Sequence, residues 1–230
     1  MDDFPRLQRL PPYVFNITGE LKAAARKGAN QAGAAARQGW PTEMVGCVGR
    51  DGFAAQVRRD LEATGAGCGA VTEVDGSSGV AAITTVAGGE NTIVIAAGAN
   101  EAMDVAAVEA AWPVIASAGM VLLQLEIPLE TVMEVARRCA AAGVPVMLDP
   151  APARALSEEL LRSVRWLTPN ETEAEVLCGV SLRDASEAAL DDAASRLMAM
   201  GAWGVALKLG GRGVYVATAD ETRAGNSTEP

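Results

Sequence analysis

Histidine is missing altogether from the 230 residues, which removes imidazole acid–base catalysis and most zinc sites. Cysteine is scarce. Cys47, Cys68, Cys139 and Cys178 stand far apart with no Cys-x-x-Cys pair, and read as reduced, mostly buried thiols of a cytosolic protein. Positive charge is in deficit: 19 lysines and arginines against 29 acidic residues give a net charge of −10 and no basic patch. Neither nucleic acid nor an anionic membrane is therefore an expected partner. No apolar run approaches the length of a membrane span. Met1-Asp2-Asp3 is acidic where a signal peptide would be basic, so a cytoplasmic location is expected. No internal repeat, low-complexity tract or interdomain linker interrupts the sequence.

What is present is apolar and rich in small residues. Half the residues are apolar and glycine and alanine abound, enough for one α/β domain with a sizeable core. Helix signals over 103–111, 128–142, 157–163, 170–178 and 186–200 alternate with apolar runs at 119–125, 144–148, 164–167 and 203–209. That alternation predicts a parallel sheet with right-handed crossovers. Near-continuous runs such as Met120-Val121-Leu122-Leu123 fit a sheet covered on both faces. Upstream, 43–49 reads as a strand and 51–64 as an amphipathic helix with Phe53, Val57 and Leu61 on one face. Thr64-Gly65-Ala66-Gly67-Cys68 reads as a turn. Residues 79–86 and 91–95 flank the turn signal Gly88-Gly89-Glu90 and predict a hairpin, on its own terms an edge of the main sheet.

Ligands of such sheets bind beyond the carboxyl ends of the strands, so polar residues there are the candidates. Arg26-Lys27-Gly28-Ala29-Asn30-Gln31 reads as a polar loop feeding a nearly bald helix, stopped by Gly39 and Pro41. Its free N–H groups and positive dipole end, flanked by Lys27 and Asn30, suit hydroxyls or a phosphate. Composition alone favours the plainer reading, a tightly packed helix with a solvated lysine at its start. Glu126, before Pro128, is either a ligand-facing carboxylate or a first-turn charge that favours the helix dipole. Asn170 with Glu173 three residues on is a helix-capping pattern. Lys208-Leu209-Gly210-Gly211-Arg212-Gly213 closes a strand with a glycine-rich turn. Its backbone N–H groups can receive phosphate or ribose, or it is a plain hairpin.

The run Lys27-Gly28-Ala29-Asn30-Gln31-Ala32, followed by Ala34-Ala35-Ala36-Arg37, resembles the sugar-binding signature of the ribokinase (phosphofructokinase-B) family. That signature usually reads Gly-Gly-Lys-Gly-Ala-Asn-Gln-Ala. Here Ala25 and Arg26 replace the leading glycines, and Arg26 crowds the place where the family backbone approaches the sugar. The segment from Asp2 to Pro11 resembles the one that starts at the family's sugar-binding aspartate, with Asp2 in its place; alone, Asp2 is a frayed terminal residue. Glu126 resembles the family glutamate that contacts the sugar. Asp149-Pro150-Ala151-Pro152-Ala153-Arg154 resembles a family loop and is read as cleft-shaping, with no assigned chemistry. Thr168-Pro169-Asn170-Glu171-Thr172-Glu173 resembles the family's Asn-x-x-Glu region, which supports nucleotide phosphates and magnesium largely through water. Residues 208–213 match the family's nucleotide-binding strand and turn. The resemblance covers most of residues 2–217.

It implies a ribokinase-like, Rossmann-like α/β fold: a mostly parallel sheet flanked by helices, with a small β lid. Residues 1–230 would be a single, incomplete domain with lid segments at about 2–20 and 79–96, and dimerisation would run through the lid. The implied activity is ATP-dependent phosphorylation of D-ribose or a related sugar at a primary hydroxyl. Asp2, Arg26, Lys27, Gly28, Ala29, Asn30 and Glu126 would hold the sugar. Asn170 with Lys208, Leu209, Gly210, Gly211, Arg212 and Gly213 would hold ATP, and Glu173 the Mg2+ ion. The family's Gly-Ala-Gly-Asp segment, with its catalytic aspartate, and its monovalent-cation site have no counterpart in these residues. Ala224-Gly225-Asn226-Ser227 comes too soon after Gly213 and offers an amide where a base is needed. No catalytic residue is thus assigned, truncation at both ends is expected, and turnover by this chain is not. The rival readings are a non-catalytic sugar-binding remnant or regulatory module, and a nucleoside or other sugar kinase of the same fold.

Overall fold

Helix and strand alternate along the computed structural model, which describes residues 13–16, 25–85 and 91–219. The order is β1 (Tyr13–Asn16), α1 (Ala25–Arg37), β2 (Glu43–Gly49), α2 (Gly52–Glu62), β3 (Gly67–Val74), β4 (Val80–Thr85), β5 (Asn91–Ala96) and α3 (Val105–Ala116). It continues with β6 (Met120–Leu123), α4 (Leu129–Ala142), β7 (Val146–Leu148), α5 (Glu158–Arg162), β8 (Trp166–Leu167), α6 (Glu171–Cys178), α7 (Glu187–Ala199), β9 (Gly204–Lys208) and β10 (Val214–Thr218). Eight strands form one sheet in the order β10-β9-β8-β7-β6-β1-β2-β3. Every neighbour pair in it is parallel except β9 and β10. β4 and β5 pair antiparallel in a two-stranded sheet of their own, so the hairpin is not an edge of the main sheet.

Alternating strand residues divide into two cores. Val45, Cys47, Val121, Leu123, Val146, Leu148, Leu167, Val205 and Leu207 face one way, where helices α3 to α7 contribute residues such as Val108, Val135, Leu161, Ala174 and Leu197. Met44, Val48 and Met120 face the other way and meet α1 and α2 through Ala32, Ala54 and Leu61. The bald face of α1 thus lies against the sheet, as its small side chains predict. Cys47, Cys68 and Cys139 are buried and Cys178 is half-buried, all four as free thiols. Among the described residues, no helix is long and apolar enough to cross a membrane.

The structure corrects four expectations. Residues 13–16 fall within the expected lid segment 2–20, yet they pair in parallel with both β2 and β6 inside the main sheet. Tyr13, Val14 and Phe15 are strong strand formers, and that slot satisfies their backbone on both edges; the rest of 2–20 lies outside the described residues. Gly67 and Cys68 begin β3 and do not complete a turn. Gly67 N–H donates to the Thr42 carbonyl at 2.8 Å, and a Cβ at Gly67 would collide with the Glu43 carboxylate. Helix α1 starts at Ala25, so residues 26–31 are its first turns and not a loop ahead of it. Finally, α3 runs through Pro113 to Ala116, past the expected end at 111. The proline removes one backbone bond, and burial of Ile115 offsets it.

Candidate active site

Strands β6, β7 and β9 deliver polar side chains at their carboxyl ends, on the side where parallel sheets bind ligands. Asp149 follows β7 and is 14% exposed. Its Oδ1 accepts from Lys208 Nζ at 2.7 Å and its Oδ2 from Gln31 Nε2 at 3.0 Å. Gln31, on α1, accepts in turn from Gln124 Nε2 at 2.8 Å. Gln124 follows β6 and is buried, and its Oε1 has no hydrogen-bond partner among the described residues.

Lys208 ends β9. Its ammonium lies 3.7 Å from Glu173 Oε2, so it sits between two carboxylates. Glu173 is buried in the first turn of α6 within a reciprocal capping box. Asn170 N–H donates to Glu173 Oε2 at 2.7 Å, Asn170 Nδ2 donates to Oε1 at 2.8 Å, and Glu173 N–H donates to Asn170 Oδ1 at 2.8 Å. The positive end of the α6 dipole favours this carboxylate. Backbone contact joins the two elements, since Lys208 N–H donates to the Pro169 carbonyl at 2.8 Å. The sequence-predicted residues Asn170, Glu173 and Lys208 therefore meet at one place.

After Lys208 the chain turns through a single 3₁₀ turn at Gly210–Arg212. Gly210 and Gly213 adopt φ of 56° and 91°, the region that favours glycine, and a Cβ on either would meet nothing within 4 Å. The Arg212 guanidinium bonds Glu171 Oε1 and the Leu182 carbonyl at 2.6 Å each, with the Ala185 carbonyl at 3.3 Å. It braces the turn against α6 and the following loop.

On the other side of Asp149, Arg26, Lys27, Gly28, Ala29 and Asn30 form the first turns of α1, directly before Gln31. Glu126 is half-buried in the bend between β6 and α4, two residues beyond Gln124. Asp2 and the stretch 224–227 lie outside the described residues. The β4–β5 hairpin is rooted beside β2. Buried Ser78 donates from its backbone N–H to Asp51 Oδ2 at 2.7 Å and from its hydroxyl to Oδ1 at 2.8 Å, and its hydroxyl accepts from Gly49 N–H at 3.0 Å. Burial alone would raise the Asp51 carboxyl. The hydrogen bonds from Ser78, Ala54 and Phe53 outweigh it and hold the carboxyl below its ordinary range.

Asp149, Gln31 and Gln124 were given no chemistry by the sequence. The available signal was position: Asp149 is the charged residue that closes the apolar run Val146-Met147-Leu148 at the ligand-binding end. Among the described residues no group of three or more metal-ligating side chains gathers. A hard divalent ion here would meet one or two carboxylates and take the rest of its shell from water and phosphate. That is the habit of magnesium, so the residues present fit it.

A profile of the pfkB family carbohydrate kinases matches residues 22–228. The chain is 38% identical over 198 residues to the ribokinase of Haemophilus influenzae, covering 86% of this chain and 64% of that protein. It is 35% identical over 227 residues to the ribokinase of Staphylococcus aureus, covering 97% of this chain and 74% of that one. Among solved structures it resembles the ribokinase of Arabidopsis thaliana complexed with ribose and ATP, at 29% identity and a TM-score of 0.77 over 91% of this chain and 75% of that one. The ribokinase of Thermotoga maritima gives 27% identity and a TM-score of 0.73 over 92% and 75%. The chain thus spans under two thirds of the length of the Haemophilus relative.

Proposed function

The chain belongs to the pfkB family of carbohydrate kinases, and from that premise we propose that it binds D-ribose and magnesium-ATP for transfer of the γ-phosphoryl group to a primary hydroxyl of the sugar. The observation that carries the reading is the row Gln31–Asp149–Lys208–Glu173. It joins the helix that bears the sugar signature to the helix N-terminus and glycine turn that suit phosphates. The 35% and 38% identities to ribokinases favour ribose over other sugars.

In this reading Lys27 and Asn30, with Glu126 and Asp2, hold the sugar hydroxyls, and the backbone of residues 26–29 lines the same site. Lys208 offers the phosphates a compact point charge. Asn170 and the open turn of Leu209, Gly210, Gly211 and Gly213 seat the nucleotide, and Arg212 takes part through its backbone because its side chain is engaged elsewhere. Glu173, already bonded through both oxygens, supports magnesium through water; when bound, that ion neutralises charge on the transferring phosphoryl group. The β4–β5 hairpin covers the sugar and offers a face for a second copy, and the site of action is the cytoplasm.

No residue is assigned as the base that takes the hydroxyl proton. A second reading is a sugar-binding module without turnover. Ribose-dependent ADP release separates the two readings. The sugar site itself is tested by calorimetric titration with ribose. Losing one neutral hydrogen bond is worth about 0.5–1.5 kcal/mol, so Asn30→Ala is expected to weaken binding several-fold. Equal affinity in the two proteins would remove Asn30 from the site.

A further inference from the structure

We propose that Asp149 is a positioning residue that couples the sugar side of the cleft to the nucleotide side, with the Lys208 ammonium as the element that switches between them. The proposal rests on the reading above for the identity of the two ligands. Its warrant is geometric: each oxygen of one carboxylate holds a different wall of the cleft. Oδ2 holds Gln31, the residue after Asn30 on α1; Oδ1 holds Lys208, which opens the glycine turn.

The order of donors is fixed. A carboxylate only accepts, so Gln31 must turn its Nε2 toward Asp149 and its Oε1 toward Gln124, whose Nε2 then donates. The row runs Gln124 to Gln31 to Asp149, and from Lys208 to Asp149. Lys208 is the member free to turn away: Gln124 is buried and Asp149 is 14% exposed, whereas the Lys208 side chain is 38% exposed on a flexible stem with two donors left over.

Phosphate arriving at residues 208–213 competes with Asp149 for that ammonium. When Lys208 turns to the phosphate, Asp149 keeps Gln31 as its partner in the row. Its charge is no longer shared with a cation and falls on that one bond, and hydrogen bonds to a fully charged acceptor are the strong ones. Helix α1 is then held more firmly, with the sugar signature in its first turns. Nucleotide therefore tightens sugar binding, and by linkage sugar tightens nucleotide binding to the same extent.

The test is calorimetry with D-ribose, in the absence and presence of saturating magnesium-ADP, on the wild type, Gln31→Leu and Asp149→Asn. Magnesium-ADP is expected to tighten ribose binding in the wild type by roughly fivefold or more, the lower end of couplings between sites. In both variants the factor should fall to near one. Gln31→Leu should meanwhile weaken magnesium-ADP alone by no more than the coupling factor it abolishes, the reciprocal of the bond that strengthens when Lys208 leaves, whereas a merely destabilised variant has no such limit. A wild-type factor of one, or variants that retain the wild-type factor, overturns the proposal. A second measurement needs no sugar: magnesium-ADP should slow amide hydrogen exchange across 31–37 in the wild type and leave it unchanged in Gln31→Leu. If ribose fails to bind while that protection is seen, the sugar assignment falls and the coupling stands. If magnesium-ADP leaves α1 exchange unaltered in the wild type, the coupling falls whatever ribose does.

Discussion

Thr131 lies in α4 with none of its surface exposed, and its hydroxyl has no hydrogen-bond partner among the described residues. A buried polar group left unmade is worth about 1–3 kcal/mol against folding, and valine offers nearly the same shape without it. Thr131→Val is therefore expected to raise the urea midpoint, by about 1 kcal/mol of stability; a lowered midpoint would show that the hydroxyl is satisfied in solution. Single residues were legible in the sequence where their partners are local. The Asn170–Glu173 box spans four consecutive residues and is legible as one. The bond from Gln31 to Asp149 crosses 118 positions, and no local pattern says which of many carboxylates a glutamine will meet. Asp149 was accordingly recognised as part of a loop but not as the hub of the cleft. The thiols were legible by type alone: burial pushes Cys139 up to about 12, as expected for an inert core cysteine.

At the scale of elements, one carboxylate starts α2 and roots the hairpin. Asp51 caps the helix by accepting from Phe53 and Ala54 N–H at 3.1 Å each and also holds Ser78. Loss of such a cap is worth about 0.5–2 kcal/mol, so Asp51→Ala should lower the urea midpoint and speed hydrogen exchange at 76–79. The pH dependence follows from the direction of its shift. A carboxyl held below its unfolded value, about 3.9, contributes stability in full above that value and loses it as pH falls through the lower folded one. Asp51→Asn should thus fall in stability less steeply than the wild type below about pH 4; parallel acid limbs would rule the effect out. The elements from 119 to 217 emerge close to their sequence limits because apolar period and caps are local. β1 and β3 did not. The glycines of 64–69 hide a strand, and the place of Tyr13–Asn16 is set by partners on β2 and β6, which no period within the segment encodes.

At the scale of the molecule, the two faces of the sheet are unequally dressed. Helices α1 and α2 shield the β1–β3 end of their face, while at the β7–β10 end of that face Met147 and Trp166 are only half-buried. On β10, Val214 is 59% exposed and Val216 50%. Apolar side chains on an edge strand invite contact with another chain. Concentration-dependent association is therefore expected in analytical ultracentrifugation, and Val216→Lys should reduce it without lowering the melting temperature, because the residue buries little. Association of the variant equal to that of the wild type would locate the contact elsewhere.

The interior position of β1 also has a consequence for synthesis. Its partner on one side, β2, follows soon after it, but its partner on the other, β6, begins 104 residues after Asn16. At a translation speed of about 5–20 residues per second, the strand waits some 5–20 s on the ribosome with one edge open. The pairing of β1 within the sheet closes only after the hairpin and α3 have been made. Through that interval the chain is a client for whatever shields open strand edges in the cell.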